Sequence, residues 1–264
     1  SEDAGATWTQ VVQSWREWDG EQVGTFSDIT ATANGFVALT NRGYLWQSAD
    51  GFDWTRSDMP IAYDVNLTAL AVGPSGFVAV GQSPAYYGTP APAIFRSADG
   101  QNWSQVFAGT GTAALRGVAN AVEWWVACGI AGLIVYSSDG GATWQQSSSG
   151  VSSDIFFRTA YSEAAGGFVF SASGGRLAIV TGPGQLSYVT ASDGTPSFFG
   201  LASGASGLYA VGSSGSIYRL AQGNTLQRVD ANQSVLPRNA GLFAGVEFNG
   251  KLYFPVSSGA VSYT

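Results

Sequence analysis

The side chains of this chain exclude more chemistry than they offer. Its 264 residues contain no histidine, so a general base of ordinary pKa near neutrality is missing, and histidine-based triads and metal sites are closed to it. Cys128 is the single cysteine and lies in the apolar run Trp124 to Ile130, which makes it a buried free thiol. A pair of carboxylates for glycoside hydrolysis could come from Glu17, Asp19, Glu21, Asp28, Asp64, Glu123, Asp154, Glu163 and Glu247. Spacing selects none of them. No catalytic residue is assigned, and no cofactor or metal is expected.

Aromatic residues in loop-like stretches are the candidates for binding. Trp15 and Trp18 lie in the segment 13–27, Tyr63 with Met59 and Asp64 in 57–66, and Tyr86 and Tyr87 in the Pro- and Gly-rich insertion 82–93. Such loops suit sugar stacking or protein contact. Trp15 and Trp18 equally suit a cap over a core. Tyr86 and Tyr87 favour contact, because an insertion has no core to serve.

The elements that position these residues are written in a repeat. Ser48-Ala-Asp-Gly-Phe-Asp-Trp54, Ser97-Ala-Asp-Gly-Gln-Asn-Trp103 and Ser138-Asp-Gly-Gly-Ala-Thr-Trp144 read nearly alike, and Ser1-Glu-Asp-Ala-Gly-Ala-Thr-Trp8 opens the chain. Upstream runs also match: Asn34-Gly-Phe-Val-Ala-Leu39, Ser75-Gly-Phe-Val-Ala-Val80 and Ser206-Gly-Leu-Tyr-Ala-Val211. Asn-Gly and Ser-Gly between apolar runs predict hairpin turns, since tight turns need positive φ. Each unit is thus expected to be a four-stranded antiparallel meander.

Two units lack the motif but keep its eight-residue step, Val180 to Tyr188 and Tyr218 to Leu226. Anchors at 8, 54, 103, 144, 188 and 226 are separated by 46, 49, 41, 44 and 38 residues. Six units of about 44 residues match the blades of a propeller. Ala260-Val-Ser-Tyr-Thr264 followed by Ser1 to Trp8 reads like Leu133 to Trp144. The expectation is therefore all-β: one six-bladed β-propeller over 1–264, with blades near 28–57, 66–107, 115–148, 155–190, 197–230 and 240–264 plus 1–12. Its closure is of the 3+1 velcro kind, with the N-terminal strand completing the last blade and removing free sheet edges.

The repeated motif resembles the Asp-box of the BNR-repeat β-propellers, the superfamily that includes sialidases. The resemblance implies that Asp3, Asp50, Asp99 and Asp139 brace turns and that Trp8, Trp54, Trp103 and Trp144 pack between blades. It implies no metal, since one Asp per turn holds a cation poorly. A sialidase would bring an arginine triad and an Arg-Ile-Pro motif. The latter is absent, and Arg42, Arg56 and Arg96 fall by turns or motifs where solvation is expected, although Arg116 and Arg158 could face a channel. Propellers of this type also assist photosystem II assembly, but those carry a cationic patch that this chain lacks.

Charge narrows the partners. The net charge is −7, charged residues make up 11%, and ten of eleven basic residues are arginine, Lys251 being the exception. That balance gives no electrostatic footprint for nucleic acid or anionic lipid. No apolar stretch is long enough for membrane insertion. The opening residues lack a signal peptide's basic and apolar regions, and a start at Ser1 fits removal of an initiator Met or of a longer leader. The function expected is a rigid, non-catalytic binding or assembly module, such as a phage or virus particle component, contacting proteins or surface glycans through the face opposite the motif turns. The alternatives are a sialidase-like hydrolase or a lectin.

Overall fold

The computed structural model describes residues 24–61, 65–84, 88–194, 197–229, 242, 245–248, 251–256 and 259–263. Every strand lies in a meander whose order follows the chain. The first sheet holds β1 (Phe26–Thr32), β2 (Gly35–Thr40), β3 (Tyr44–Ser48) and β4 (Thr55–Asp58). The second holds β5 (Asn66–Gly73), β6 (Gly76–Ser83), β7 (Ala91–Ser97) and β8 (Trp103–Ala108), and the third β9 (Leu115–Ala121), β10 (Trp124–Gly129), β11 (Leu133–Ser137) and β12 (Gln145–Ser148). The fourth holds β13 (Phe156–Ser162), β14 (Gly167–Ala172), β15 (Arg176–Gly182) and β16 (Gln185–Thr190).

The fifth meander, β17 (Phe198–Gly204), β18 (Gly207–Gly212), β19 (Ile217–Ala221) and β20 (Thr225–Arg228), extends further. Its β17 pairs in parallel with β21 (Gly245–Phe248), which continues antiparallel into β22 (Lys251–Val256) and β23 (Gly259–Tyr263). The described residues thus form five sheets, the last with seven strands. The strand expected from residues 1–12 lies outside the described residues. Among them the only helical element is the 3-10 turn Ser213–Gly215, and no helix is long and apolar enough to cross a membrane.

Strand position within a sheet follows hydrophobicity. β14, Gly-Phe-Val-Phe-Ser-Ala, is buried along its whole length, whereas the fourth strands β12 (Gln-Gln-Ser-Ser) and β16 (Gln-Leu-Ser-Tyr-Val-Thr) are mostly exposed or half-buried. A middle strand covered on both faces needs apolar residues throughout, while an outer strand can show polar groups to water.

The chain divides into two compact units, Ser1–Ala127 with Tyr136–Gln146, and Cys128–Val135 with Ser147–Thr264. In the first, Val37, Leu39, Leu45 and Met59 pack with Leu67, Leu70, Phe95 and Trp103. Met59 is therefore core rather than part of a contact loop. In the second, Val169, Leu177 and Ile179 pack with Phe198, Leu208, Tyr218 and Leu220. Cys128 is buried, as its apolar neighbours require.

Two features recur from sheet to sheet. The first strand bulges near its start, between Phe26 and Asp28, Leu67 and Ala69, Phe156 and Arg158, and Phe198 and Gly200. Bulges sharpen the local twist. The second is a constant rung. Gln47 pairs with Thr55, Arg96 with Ser104, Ile179 with Ser187 and Arg219 with Gln227, always eight residues apart. In the first two sheets the motif turn fills that interval, with one further rung, Ser97 with Trp103, in the second. In the fourth and fifth, extra rungs fill it (Val180 with Leu186, Leu220 with Leu226), and the hairpin closes tightly at Gly182–Gln185 and Ala221–Thr225.

Candidate functional site

The motif turns are built from short-range hydrogen bonds. The Ser48 hydroxyl donates to Asp50 Oδ1 at 3.1 Å and accepts from the Gly51 amide at 2.8 Å. Asp50 Oδ1 accepts from the amides of Phe52 and Asp53 at 2.8 and 3.1 Å, and Trp54 Nε1 donates to the Gly51 carbonyl at 3.0 Å. Ser97, Asp99 and Trp103 repeat the pattern, with Asn102 Nδ2 donating to Asp99 Oδ2 at 2.7 Å. Ser137, Asp139 and Trp144 do so as well, and there the Thr143 hydroxyl donates to Asp139 Oδ2 at 2.5 Å. The carboxylates are occupied by their own turns, which leaves them little capacity for a ligand.

The same bonds set their acidity. Amides of Phe52 and Asp53 hold the Asp50 carboxyl below its usual range, and the Asn102 amide and side chain do so for Asp99. The Thr143 hydroxyl and amide hold Asp139 down to about 2. A depressed carboxylate stabilises the fold above its unfolded pKa of about 4, and that contribution disappears as pH falls through the folded value. Melting temperature is therefore expected to drop between about pH 4 and pH 2, and Asp139→Asn to flatten part of that drop. A variant with the same acid limb would argue against the assignment.

Arg96 links a motif turn to a neighbouring sheet. Its Nε donates to the Gly140 carbonyl at 3.1 Å and its terminal NH2 to the Ser75 carbonyl at 2.9 Å, while the Ser75 hydroxyl donates to the same Gly140 oxygen at 2.9 Å. Arg96 is half-buried and engaged, not solvated as its place beside a motif suggested. Arg56 lies against Asp58 at 3.2 Å and over the Tyr44 ring, and Arg158 donates to the Phe157 carbonyl at 3.0 Å. No arginine triad gathers among these residues.

Asp154, one of nine carboxylates that spacing left equivalent, lies in a polar cluster. Its side chain is fully buried, Arg176 donates to it at 2.8 Å, and the Tyr188 hydroxyl donates to its other oxygen. The Arg176 guanidinium also lies 5.0 Å from the Tyr188 ring centroid. Burial and the bond to Asp154 push the Tyr188 phenol up to about 12. The three residues come from the turn before β13, the start of β15 and β16. No local sequence signal joins them.

A cleft of about 580 Å³ opens in the second unit, where the turns β13–β14, β17–β18 and β19–β20 meet. Tyr161, Ser162, Glu163, Ser203, Arg219 and Gln222 are among its lining residues. Tyr161 is 43% exposed and stands edge-on to Phe168. Arg219 and Glu163 are exposed, and neither side chain has a hydrogen-bonding or ionic partner among the described residues. The cleft lies at the sheet ends where the motif turns occur in other sheets, not at the opposite ends. The binding candidates Trp15, Trp18, Tyr63, Tyr86 and Tyr87, and the motif residues Asp3 and Trp8, lie outside the described residues. Among the described residues no group of three or more His, Cys, Asp or Glu side chains is placed to hold a metal ion.

No family model matches the chain, and no curated protein matches it by sequence. Solved structures do match in fold. A catalytically inactive His-to-Ala variant of virginiamycin B lyase from Staphylococcus aureus, with quinupristin, superposes with a TM-score of 0.71 at 12% identity over 88% of this chain and 78% of that one. YCF48 from Cyanidioschyzon merolae gives 0.67 at 16% identity over 98% and 85%. YCF48 bound to D1 peptide gives 0.66 at 15% over 98% and 83%. These proteins are β-propellers, and at such identities the likeness shows that fold alone.

Proposed function

We propose that the chain is a non-catalytic protein-binding module, a closed six-bladed propeller of Asp-box type serving within a larger assembly such as a phage or virus particle. The observation that carries the binding reading is the contrast between two sets of polar side chains. Those in the motif turns are consumed by their own main chain. Arg219 and Glu163, both among the residues lining one cleft, have no side-chain hydrogen-bonding or ionic partner among the described residues. A propeller solved with a peptide bound, YCF48 with D1 peptide, lends support to a protein ligand. The inactivity of the lyase's His-to-Ala variant supports absence of that chemistry here, because this chain has no histidine. Co-expression with the products of neighbouring genes is expected to give a stoichiometric complex, with a fluorogenic sialoside left intact. Sialoside turnover without a complex would reverse the reading.

Closure of the ring has its own support in the first sheet. Ile29 pairs with Ala38 on the rung where Leu70 pairs with Ala79 in the second. Leu70 is 4% exposed because the first sheet covers it; Ile29 is 58% exposed. An apolar residue at that rung is suited to a preceding sheet, which a sixth blade would supply. Ile29→Gln is then expected to destabilise by about 1–2 kcal/mol, the scale of lost apolar burial. Unchanged urea stability would count against closure.

A further inference from the structure

We infer that the hairpin tip Val122–Trp124, set among the acidic motif turns of the first unit, docks a Lys- or Arg-bearing segment of a partner protein. The inference rests on the binding-module reading and deepens it by naming a surface and the chemistry of its partner. It starts from a residue that the fold does not account for. Val122 and Glu123 form the turn between β9 and β10. Val122 has φ +55°, in the left-handed region where a β-branched side chain is an outlier and where Gly or Asn is the usual turn residue. It is also 73% exposed, so no packing offsets the strain. A strained backbone under an exposed apolar side chain points to a contact made outside the chain.

Trp124 extends the same surface. Its neighbour Trp125 is fully buried and serves the core, whereas Trp124 is 40% exposed. Phe36 and Phe52 are exposed at the same end of the first sheet, where the Phe36 ring lies against Gly51 of the motif turn. Direct contacts join that end across the three sheets of the unit. Gly100 of the second motif turn faces the first sheet, and a Cβ added to it would come within 3.2 Å of Gln47 Nε2. Gly140 of the third accepts from the Ser75 hydroxyl of the second, and a Cβ added to it would stand 3.0 Å from Glu123 Oε2. Tryptophan is enriched among the residues that anchor protein contacts, and a convex tip is unlike the concave seat of a small ligand.

Charge selects the partner. Asp50, Asp53, Asp99, Glu123 and Asp139 are all exposed at that end, and none of the hairpin and motif turns there carries a lysine or arginine. Arg96, on β7 beside them, commits its guanidinium to the Ser75 and Gly140 carbonyls. The motif carboxylates give their oxygens to their own turns, so they act on a partner through charge rather than as ligands. Those same turns keep Asp50, Asp99 and Asp139 ionised into acid pH. The Glu123 side chain has no hydrogen-bonding or ionic partner among the described residues, and so can receive an ammonium or guanidinium. An exposed indole is the best aromatic face for the same cations, and the apolar stem of Lys or Arg can lie along it. Phosphate-bearing partners, whether nucleic acid or anionic lipid, are repelled by this surface.

The test sets the full chain against an array of capped peptides that combine Lys or Arg with Phe, Leu or Trp, with acidic and neutral peptides alongside, and titrates the strongest binders by calorimetry. Basic peptides are expected to bind, and Trp124→Ser to weaken them by about tenfold or more, the scale of a truncated interface anchor. Salt raised from about 0.1 to about 1 M should weaken them as well, by screening the acidic turns. Val122→Asn is expected to bind more weakly while melting at the same or a higher temperature, because Asn accepts the left-handed conformation. Preference for acidic peptides, affinity that survives Trp124→Ser, or a Val122→Asn chain that melts lower and binds as before would overturn the inference, as would a neutral glycan held through Trp124. Absence of any peptide binding would overturn it too. A stoichiometric complex from co-expression would then leave the binding-module reading standing, and absence of that complex as well would overturn both.

Discussion

Asp154→Ala is expected to cost about 3–5 kcal/mol of stability, the range found when one partner of a buried ion pair is removed. The Asp154 carboxylate is fully screened from water and accepts from both Arg176 and Tyr188. The same residue anchors the main chain, since its amide donates to the Val151 carbonyl and its carbonyl accepts from Gly132. Deleting the carboxylate leaves Arg176, whose side chain is 29% exposed, without its counter-charge, and leaves the Tyr188 hydroxyl without its acceptor. Asp154→Asn keeps an acceptor for the hydroxyl but not the charge, so an intermediate loss is expected. Replacing the pair together, Asp154→Leu with Arg176→Met, should recover much of it, because no lone charge remains. Urea midpoints at constant slope measure all three. A loss below about 1 kcal/mol in Asp154→Ala, the scale of an exposed pair, would show that the cluster does not hold the segment. The Tyr188 phenol gives a second readout. Its raised pKa means the proton is retained in the fold, so that contribution is present below pH 10 and lost as pH rises towards about 12. In Asp154→Ala the phenol should titrate closer to its ordinary value.

Gly76→Ala and Gly35→Ala should each destabilise by more than about 3 kcal/mol, and Gly207→Ala by only about 1–3 kcal/mol. All three glycines have φ beyond the left-handed helical well, at +112°, +126° and +128°, where an L side chain is strained. They differ in what a Cβ would meet. At Gly76 it would strike the Ser97 carbonyl and come within 2.7 Å of Ala98 Cα; at Gly35 it would strike the Ser48 carbonyl and come within 2.6 Å of Ala49 Cα. Both obstacles are main chain at the entrance to a motif turn and cannot swing aside. At Gly207 only the flexible end of Arg219 is near. Thermal melts of the three variants provide the comparison. Equal losses would mean that φ strain alone decides, and that the motif backbone yields.

What could be read in advance is what short stretches of chain determine. Asn34-Gly35, Ser75-Gly76 and Ser206-Gly207 announce hairpins because the backbone there needs positive φ, and strands meet across each of them. Asp50, Asp99 and Asp139 reach amides only two to four residues onward, so their acceptor role follows from local spacing. The bulges near the start of β1, β5, β13 and β17 carry no shared sequence mark, although at Thr68 the side-chain hydroxyl donates back to the Val80 carbonyl across one of them. The engagement of Arg96 is invisible to local sequence because its partners come from Ser75 and Gly140, 21 and 44 residues away. Asp154, Arg176 and Tyr188 meet across 22 and 34 residues. Such encounters are fixed by how sheets pack, and no pattern of neighbouring residues announces them. Nor does any run of neighbouring residues mark the cleft, which lies where plain hairpins stand in place of motif turns.

The constant eight-residue rung has a consequence for how such a repeat can change over generations. Gln47–Thr55 and Arg96–Ser104 enclose a motif loop; Ile179–Ser187 and Arg219–Gln227 enclose a plain hairpin. Loop and hairpin are cassettes of one length, so exchanging them leaves the flanking strands in frame and their inward-facing residues unmoved. A duplicated ancestor could therefore shed its fasteners one blade at a time by point substitution, without insertion or deletion. Each loss would uncover a patch at that end of the sheet on which selection could then act independently of the core.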